Sequence, residues 1–285
     1  MIMRGKTFAI AALLAACLPA VAAGAGLMKM WVTEPVFKVP ESVYFDGRRE
    51  VLYVSNINGN PGEKDGNGFI SRLGLDGKVL KLEWIRGLDA PKGMAVRGGS
   101  LFVSNIDELV EIDIKNDKIV RRYPAEGAQF LNDVAVDAKG NVYVSDSSNK
   151  NSVIYRLASD TLEVWASGKA ISSPNGLLVD GGRLIVGNTG DAMLKQIDLE
   201  TGAISDLHTV GFGVDGLAMD RKGNLIVSDW AGRTVLIEPS GAITPLLDTR
   251  SEKINAADLT FVPGEDLVVI PTFNDNRVVA AKLRY

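Results

Sequence analysis

A short apolar strand recurs six times along this chain, and no other feature of the sequence restricts its fold so closely. The copies are Val51-Leu-Tyr-Val-Ser-Asn56, Leu101-Phe-Val-Ser-Asn105, Val142-Tyr-Val-Ser-Asp146, Leu184-Ile-Val-Gly-Asn188, Leu225-Ile-Val-Ser-Asp229 and Leu267-Val-Val-Ile-Pro271. A second recurring segment lies upstream of each, opening at Pro40-Glu41, Pro91-Lys92, Leu131-Asn132, Pro174-Asn175, Val214-Asp215 and Ala257-Asp258. Its second residues fall at 41, 92, 132, 175, 215 and 258, so the steps are 51, 40, 43, 40 and 43. A period near 40 built from short β-rich units is the pattern of propeller blades. Turns such as Asp76-Gly77, Lys139-Gly140-Asn141 and Lys222-Gly223-Asn224 supply the positive φ that tight hairpins require. After Asp258 there is room for three strands, and Trp31 to Lys38 reads as the strand that completes the last blade. The expected fold is therefore all-β: one six-bladed β-propeller over residues 26–285, closed by an N-terminal strand that removes the open sheet edges.

Residues 1–25 read as a signal peptide. Arg4 and Lys6 precede a short apolar run, Pro19 interrupts it, and Ala20-Val-Ala-Ala23 follows as an A-x-A cleavage site. Leu14-Ala-Ala-Cys17 also matches a lipoprotein signal ending before Cys17. The two processing routes predict a secreted or periplasmic protein and a lipid-anchored one, and that lipid is the sole membrane contact expected. Loss of the two basic residues takes the net charge from −4 to −6. The balance is acidic, with no basic excess to suggest nucleic-acid binding. Oligomeric state is left open.

With one His and one Cys in 285 residues, a thiol or imidazole zinc site and a disulfide framework are excluded. His208 lies in the connection between blades four and five and has no G-x-S-x-G partner motif. Gly211-Phe-Gly-Val-Asp-Gly216 has dinucleotide-loop spacing but is followed by a strand where a helix is required. Glu63 to Ser71 resembles the start of an EF-hand loop, yet position twelve is Gly74 and no helix flanks it. A Gly-rich hairpin loop and a weak second cation site both remain open there. The insertion Ile57 to Gly68 explains the long first step and could overhang the channel as a lid.

The upstream segments are expected to be the innermost strands, which places Glu41, Lys92, Asn132, Asn175, Asp215 and Asp258 around one mouth of the central channel. Gly, Ala or Val would suit such a tight position, but all six are polar or charged. Glu41 and Asp215 bring two negative charges, and Asn132 and Asn175 bring amide oxygens. That set suits a hard divalent cation, Ca2+ before Mg2+ or another divalent ion.

These residues resemble the metal site of the regucalcin and gluconolactonase family of six-bladed propellers, which is related to the paraoxonases and diisopropylfluorophosphatase. The resemblance covers roughly residues 30 to 285. It implies that Glu41, Asn132 (in Asn132-Asp133), Asn175 (in Pro174-Asn175-Gly176) and Asp215 (in Asp215-Gly216) hold the metal. It further implies hydrolysis of a small-molecule lactone or ester, with the cation as Lewis acid; Asp215 either doubles as general base for the attacking water or serves only as a ligand. Sugar-lactone members carry an Arg two residues before the Asn of blade three. This chain has Phe130, so an apolar lactone or ester is equally compatible. Lys92 and Asp258 are candidate substrate contacts, Lys92 being open between gripping an acidic substrate group and extending into solvent. The alternative is a non-catalytic propeller resembling those with NHL repeats, which binds a ligand or partner protein around a structural cation.

Overall fold

The computed structural model describes residues 24–285. It contains six four-stranded antiparallel sheets arranged in chain order, as the repeat requires. The innermost strands are Pro40–Asp46, Pro91–Arg97, Leu131–Val136, Pro174–Asp180, Leu217–Met219 and Thr260–Val262. Among the described residues the sole helical element is a 3-10 turn at Phe273–Asp275, and no helix is long and apolar enough to cross a membrane.

Each second strand is buried on both faces. Along Val51–Asn56 every residue is buried, because successive side chains point to opposite sides of the sheet and each side is covered by a neighbouring blade. Val51 and Tyr53 pack toward blade two with Met94, Leu101 and Val103. Leu52 and Val54 pack toward blade six with Val262, Leu267 and Val269. Six such clusters, one between each pair of adjacent blades, make up the core. Each large apolar side chain fully buried this way contributes about 1.5–3 kcal/mol, which explains the unbroken apolar runs.

The ring closes as expected but in a different place. The closing strand is Gly26–Val32, paired antiparallel with Val278–Arg284 in the sheet of blade six. Of the expected Trp31 to Lys38 segment, only Trp31 and Val32 belong to it. Pro35 offers no N–H to a ladder, Phe37 turns inward to full burial, and Val39 takes a positive φ of 52°. Trp31 also ties the strand to blade one by donating its indole N–H to Leu75 O at 2.9 Å. The signal segment and Cys17 lie outside the described residues, apart from Gly24 and Ala25.

Candidate metal centre

The recurring Val-Ser-Asn/Asp motif shapes the site. In blades one to four the inner strand slips register around the candidate residue, between Pro40 and Val43, Pro91 and Met94, Leu131 and Val134, and Pro174 and Leu177. Such bulges place two residues opposite one and re-aim the side chain. The motif Ser fills the gap. Ser55 Oγ accepts the Ser42 N–H at 2.9 Å, Ser145 Oγ that of Asp133 at 2.9 Å, and Ser228 Oγ that of Gly216 at 3.0 Å. The same hydroxyls reach the next blade, Ser145 donating to Asn175 O at 2.8 Å and Ser104 to Asn132 O. The following Asn or Asp clamps the incoming loop. Asn56 Oδ1 accepts from Lys38 N, Asn105 Oδ1 from Asp89 and Ala90 N, and Asp146 from Gln129 and Phe130 N. The sequence displayed this motif openly, but its role was legible only once neighbouring blades were in contact.

Glycine follows three of the candidates for want of space. A Cβ on Gly93 would sit 2.5 Å from Asp133 Cα, and one on Gly176 would sit 2.5 Å from Asp215 O. A Cβ on Gly216 would sit 2.6 Å from Leu259 N. The backbones of adjacent inner strands touch at these points, bringing the side chains before them to the channel.

Four of the predicted residues form a set. Glu41, Asn132, Asn175 and Asp215 are all buried, and Glu41 Oε2, Asn132 Oδ1, Asn175 Oδ1 and Asp215 Oδ2 each lack a hydrogen-bond donor. Asn175 Nδ2 donates to Asp215 Oδ1 at 2.6 Å, which leaves the other oxygen of each unpaired. An unmatched buried polar atom costs about 1–3 kcal/mol, so four acceptors without a donor point to a missing electropositive partner. Burial, then the nearby Asp215 and Asp133, hold the Glu41 carboxyl well above its ordinary range, although Lys92 opposes the shift. Burial likewise lifts Asp215 to about 7 despite the Asn175 hydrogen bond. A divalent cation would cancel both charges and satisfy all four oxygens. Among the described residues no group of three or more His, Cys, Asp or Glu is placed to hold a metal, so the set depends on its two amides.

Asp258 shares the repeat position but not the orientation. Its Oδ2 accepts from Ser42 Oγ at 2.5 Å. With Asp133 it lines a cavity of about 470 Å3 on the other side, walled by Tyr44, Val96, Val136 and Phe261 from the far ends of the inner strands. Asp133 is likewise engaged, accepting the N–H groups of Leu177 and Val134 at 2.6 Å each.

Lys92 does not reach solvent, being only 1% exposed, so the extended alternative is excluded. Its Nζ donates to Pro61 O and Ala90 O, both at 3.1 Å, and stands 4.3 Å from the centre of the Phe130 ring. Burial lowers its pKa to about 8 against the opposing pull of Glu41. The Pro61 contact brings the 57–67 loop over Lys92, and Lys64–Asp107 and Gly66 N to Asp89 Oδ1 hold that loop to blade two. Asp65 is occupied with Asn67, as in an ordinary loop. Gly211 to Gly216 runs into an inner strand without a helix, and His208 sits on the outermost strand Ile204–Thr209 of blade four.

The sequence of residues 39–269 matches the family model described as SMP-30/Gluconolactonase/LRE-like region. No curated protein matches the chain at a significant level. Three solved structures share the fold at identities too low to convey more than that. One is a structural-genomics protein provisionally described as a gluconolactonase, with TM-score 0.65 and 17% identity over 92% of this chain and 93% of that one. Another is in a nidogen/laminin complex, with TM-score 0.65 and 18% identity over 78% of this chain and 84% of that one. The third is virginiamycin B lyase from Staphylococcus aureus, with TM-score 0.61 and 13% identity over 92% of this chain and 100% of that one.

Proposed function

The chain belongs to the SMP-30/gluconolactonase/LRE-like family, and on that premise we propose that it is a divalent-cation-dependent hydrolase of lactones or related esters, exported to the periplasm or beyond. The observation that carries the reading is the set of four buried, donorless oxygens contributed by four different blades. An all-oxygen set with two carboxylates favours Ca2+, with other divalent ions second.

The bound cation would supply Lewis-acid polarisation of the substrate carbonyl and a counter-charge for the developing oxyanion. Glu41 and Asp215 provide the negative charge that retains it, and Asn132 and Asn175 add neutral oxygens that avoid further repulsion. Asp215 has a second part. Its Oδ1 is fixed by Asn175, so its Oδ2 keeps one orientation and can take the proton from the attacking water. The 57–67 loop lies over Lys92 through the Pro61 contact. Asp258 is left out of this scheme, because its carboxylate is bound to Ser42 and faces the other side of the channel.

The test is metal analysis of the purified protein together with hydrolysis of a lactone and aryl-ester panel, with and without chelator. Activity is expected to disappear on chelation and return with Ca2+. A folded protein that takes up no divalent cation and hydrolyses none of the panel refutes the proposal.

A further inference from the structure

Lys92 is a buried cation without a counter-ion. Among the described residues the other buried lysine, Lys195, is paired with Asp206 at 2.7 Å and Asp191 at 3.4 Å. Lys92 makes no ion pair among the described residues, and the carboxylate whose field acts on it is Glu41. Two of its three N–H bonds go to the carbonyls of Pro61 and Ala90, and the third has no protein acceptor among the described residues. Ala90 immediately precedes the inner strand and Pro61 belongs to the 57–67 loop, so the ammonium is held at the start of that strand, with the Phe130 ring against it. An unpaired buried charge is costly, and its retention points to a ligand.

The kind of ligand follows from, and rests on, the reading given under Proposed function. An ammonium with a free N–H recognises an anion, and a carboxylate is an anionic group that a lactone or ester can carry. Phe130 beside the ammonium offers an apolar surface to the rest of such a molecule.

We infer that Lys92 anchors the substrate by an anionic group, and that the substrate is a lactone or ester bearing a carboxylate, its apolar part lying against Phe130. Kinetics on a matched pair test this: γ-butyrolactone and the same ring carrying a carboxylate, with wild type, Lys92→Met and Lys92→Arg. Wild type is expected to favour the carboxylate-bearing lactone at least tenfold in kcat/KM. Lys92→Met should collapse that ratio at least tenfold, through KM, and Lys92→Arg should restore part of it. A ratio unchanged in Lys92→Met overturns the inference. So does a loss equal for both lactones with faster proteolysis of the 57–67 loop, which would make Lys92 only a latch for that loop. Calorimetric titration of butyrate gives a readout without turnover, and saturable binding should be lost in Lys92→Met. If wild type hydrolyses no lactone yet binds butyrate through Lys92, the hydrolase reading fails and the anion site stands. If lactones are hydrolysed but butyrate does not bind, the anion site fails alone.

Discussion

Replacing Asp215 by Asn should stabilise the metal-free protein while destroying its response to Ca2+. Asp215 is fully buried, and burial raises its carboxyl from 3.8 to about 7. A carboxyl whose folded pKa is above its unfolded value weakens the fold at every pH above the unfolded value, with the loss levelling off above the folded value. At pH 7 the shift corresponds to at most about 4 kcal/mol of folding free energy, released when the charge is removed. The Asn side chain can still accept from Asn175 Nδ2, and its own amide can donate to one of the orphaned oxygens of Glu41 or Asn132. In chelator the melting temperature should therefore rise, by an amount on the order of 10 °C if the full penalty is relieved. Ligand stabilisation should behave oppositely. With Ca2+ at a hundred times its Kd, wild type gains about 2.7 kcal/mol, and loss of one of two cage carboxylates should remove most of that gain. The assay is differential scanning fluorimetry of both proteins in chelator and across a Ca2+ titration. A variant that melts below wild type in chelator, or keeps the full Ca2+ increment, refutes the electrostatic account of the cage.

Three further outcomes follow from the packing. Gly216→Ala should cost about 1–3 kcal/mol and weaken cation binding, because its Cβ would stand 2.6 Å from Leu259 N and 2.8 Å from Asp258 Cα and force the inner strands apart; wild-type denaturation and Ca2+ affinity in this variant would contradict the close approach. Asp137 is pushed up by burial but held below its ordinary pKa by Asn141, Tyr143 and Lys139, so its stabilisation is present above about pH 4 and fades as pH falls through the lowered value. Asp137→Ala should cost about 1 kcal/mol at pH 7 and show a shallower fall in stability between pH 5 and 2 in urea titrations. Deletion of residues 26–32 should expose the edge of Val278–Arg284 and yield aggregates or strand-swapped dimers on size exclusion; a monomer of unchanged melting temperature would show that closure does not depend on this strand.

Much of the architecture was legible because blades repeat. Equivalent residues in six copies sit at equivalent places on the blade, so the repeat located the inner strands and singled out Glu41, Asn132, Asn175 and Asp215 as candidates. The closing strand was harder to place. It belongs to no complete repeat, and Gly26–Val32 was shifted from the expected segment by Pro35 and the inward turn of Phe37.

Repeat position specifies a site on the blade and leaves the direction of a side chain undetermined. Asp215 and Asp258 are equivalent in the repeat, yet one carboxylate bonds Asn175 of a neighbouring blade and the other bonds Ser42. Lys92 reads in sequence either as a grip on an acidic substrate group or as a lysine extending into solvent, and it is buried because Pro61 and Phe130, remote in the chain, close over it. The six copies alone therefore settled the fold and nominated the residues of the candidate centre. Which oxygens stand without donors, and which charge stands without a partner, was decided by contacts between neighbouring blades, since hydrogen bonds and burial depend on residues that the repeat does not relate.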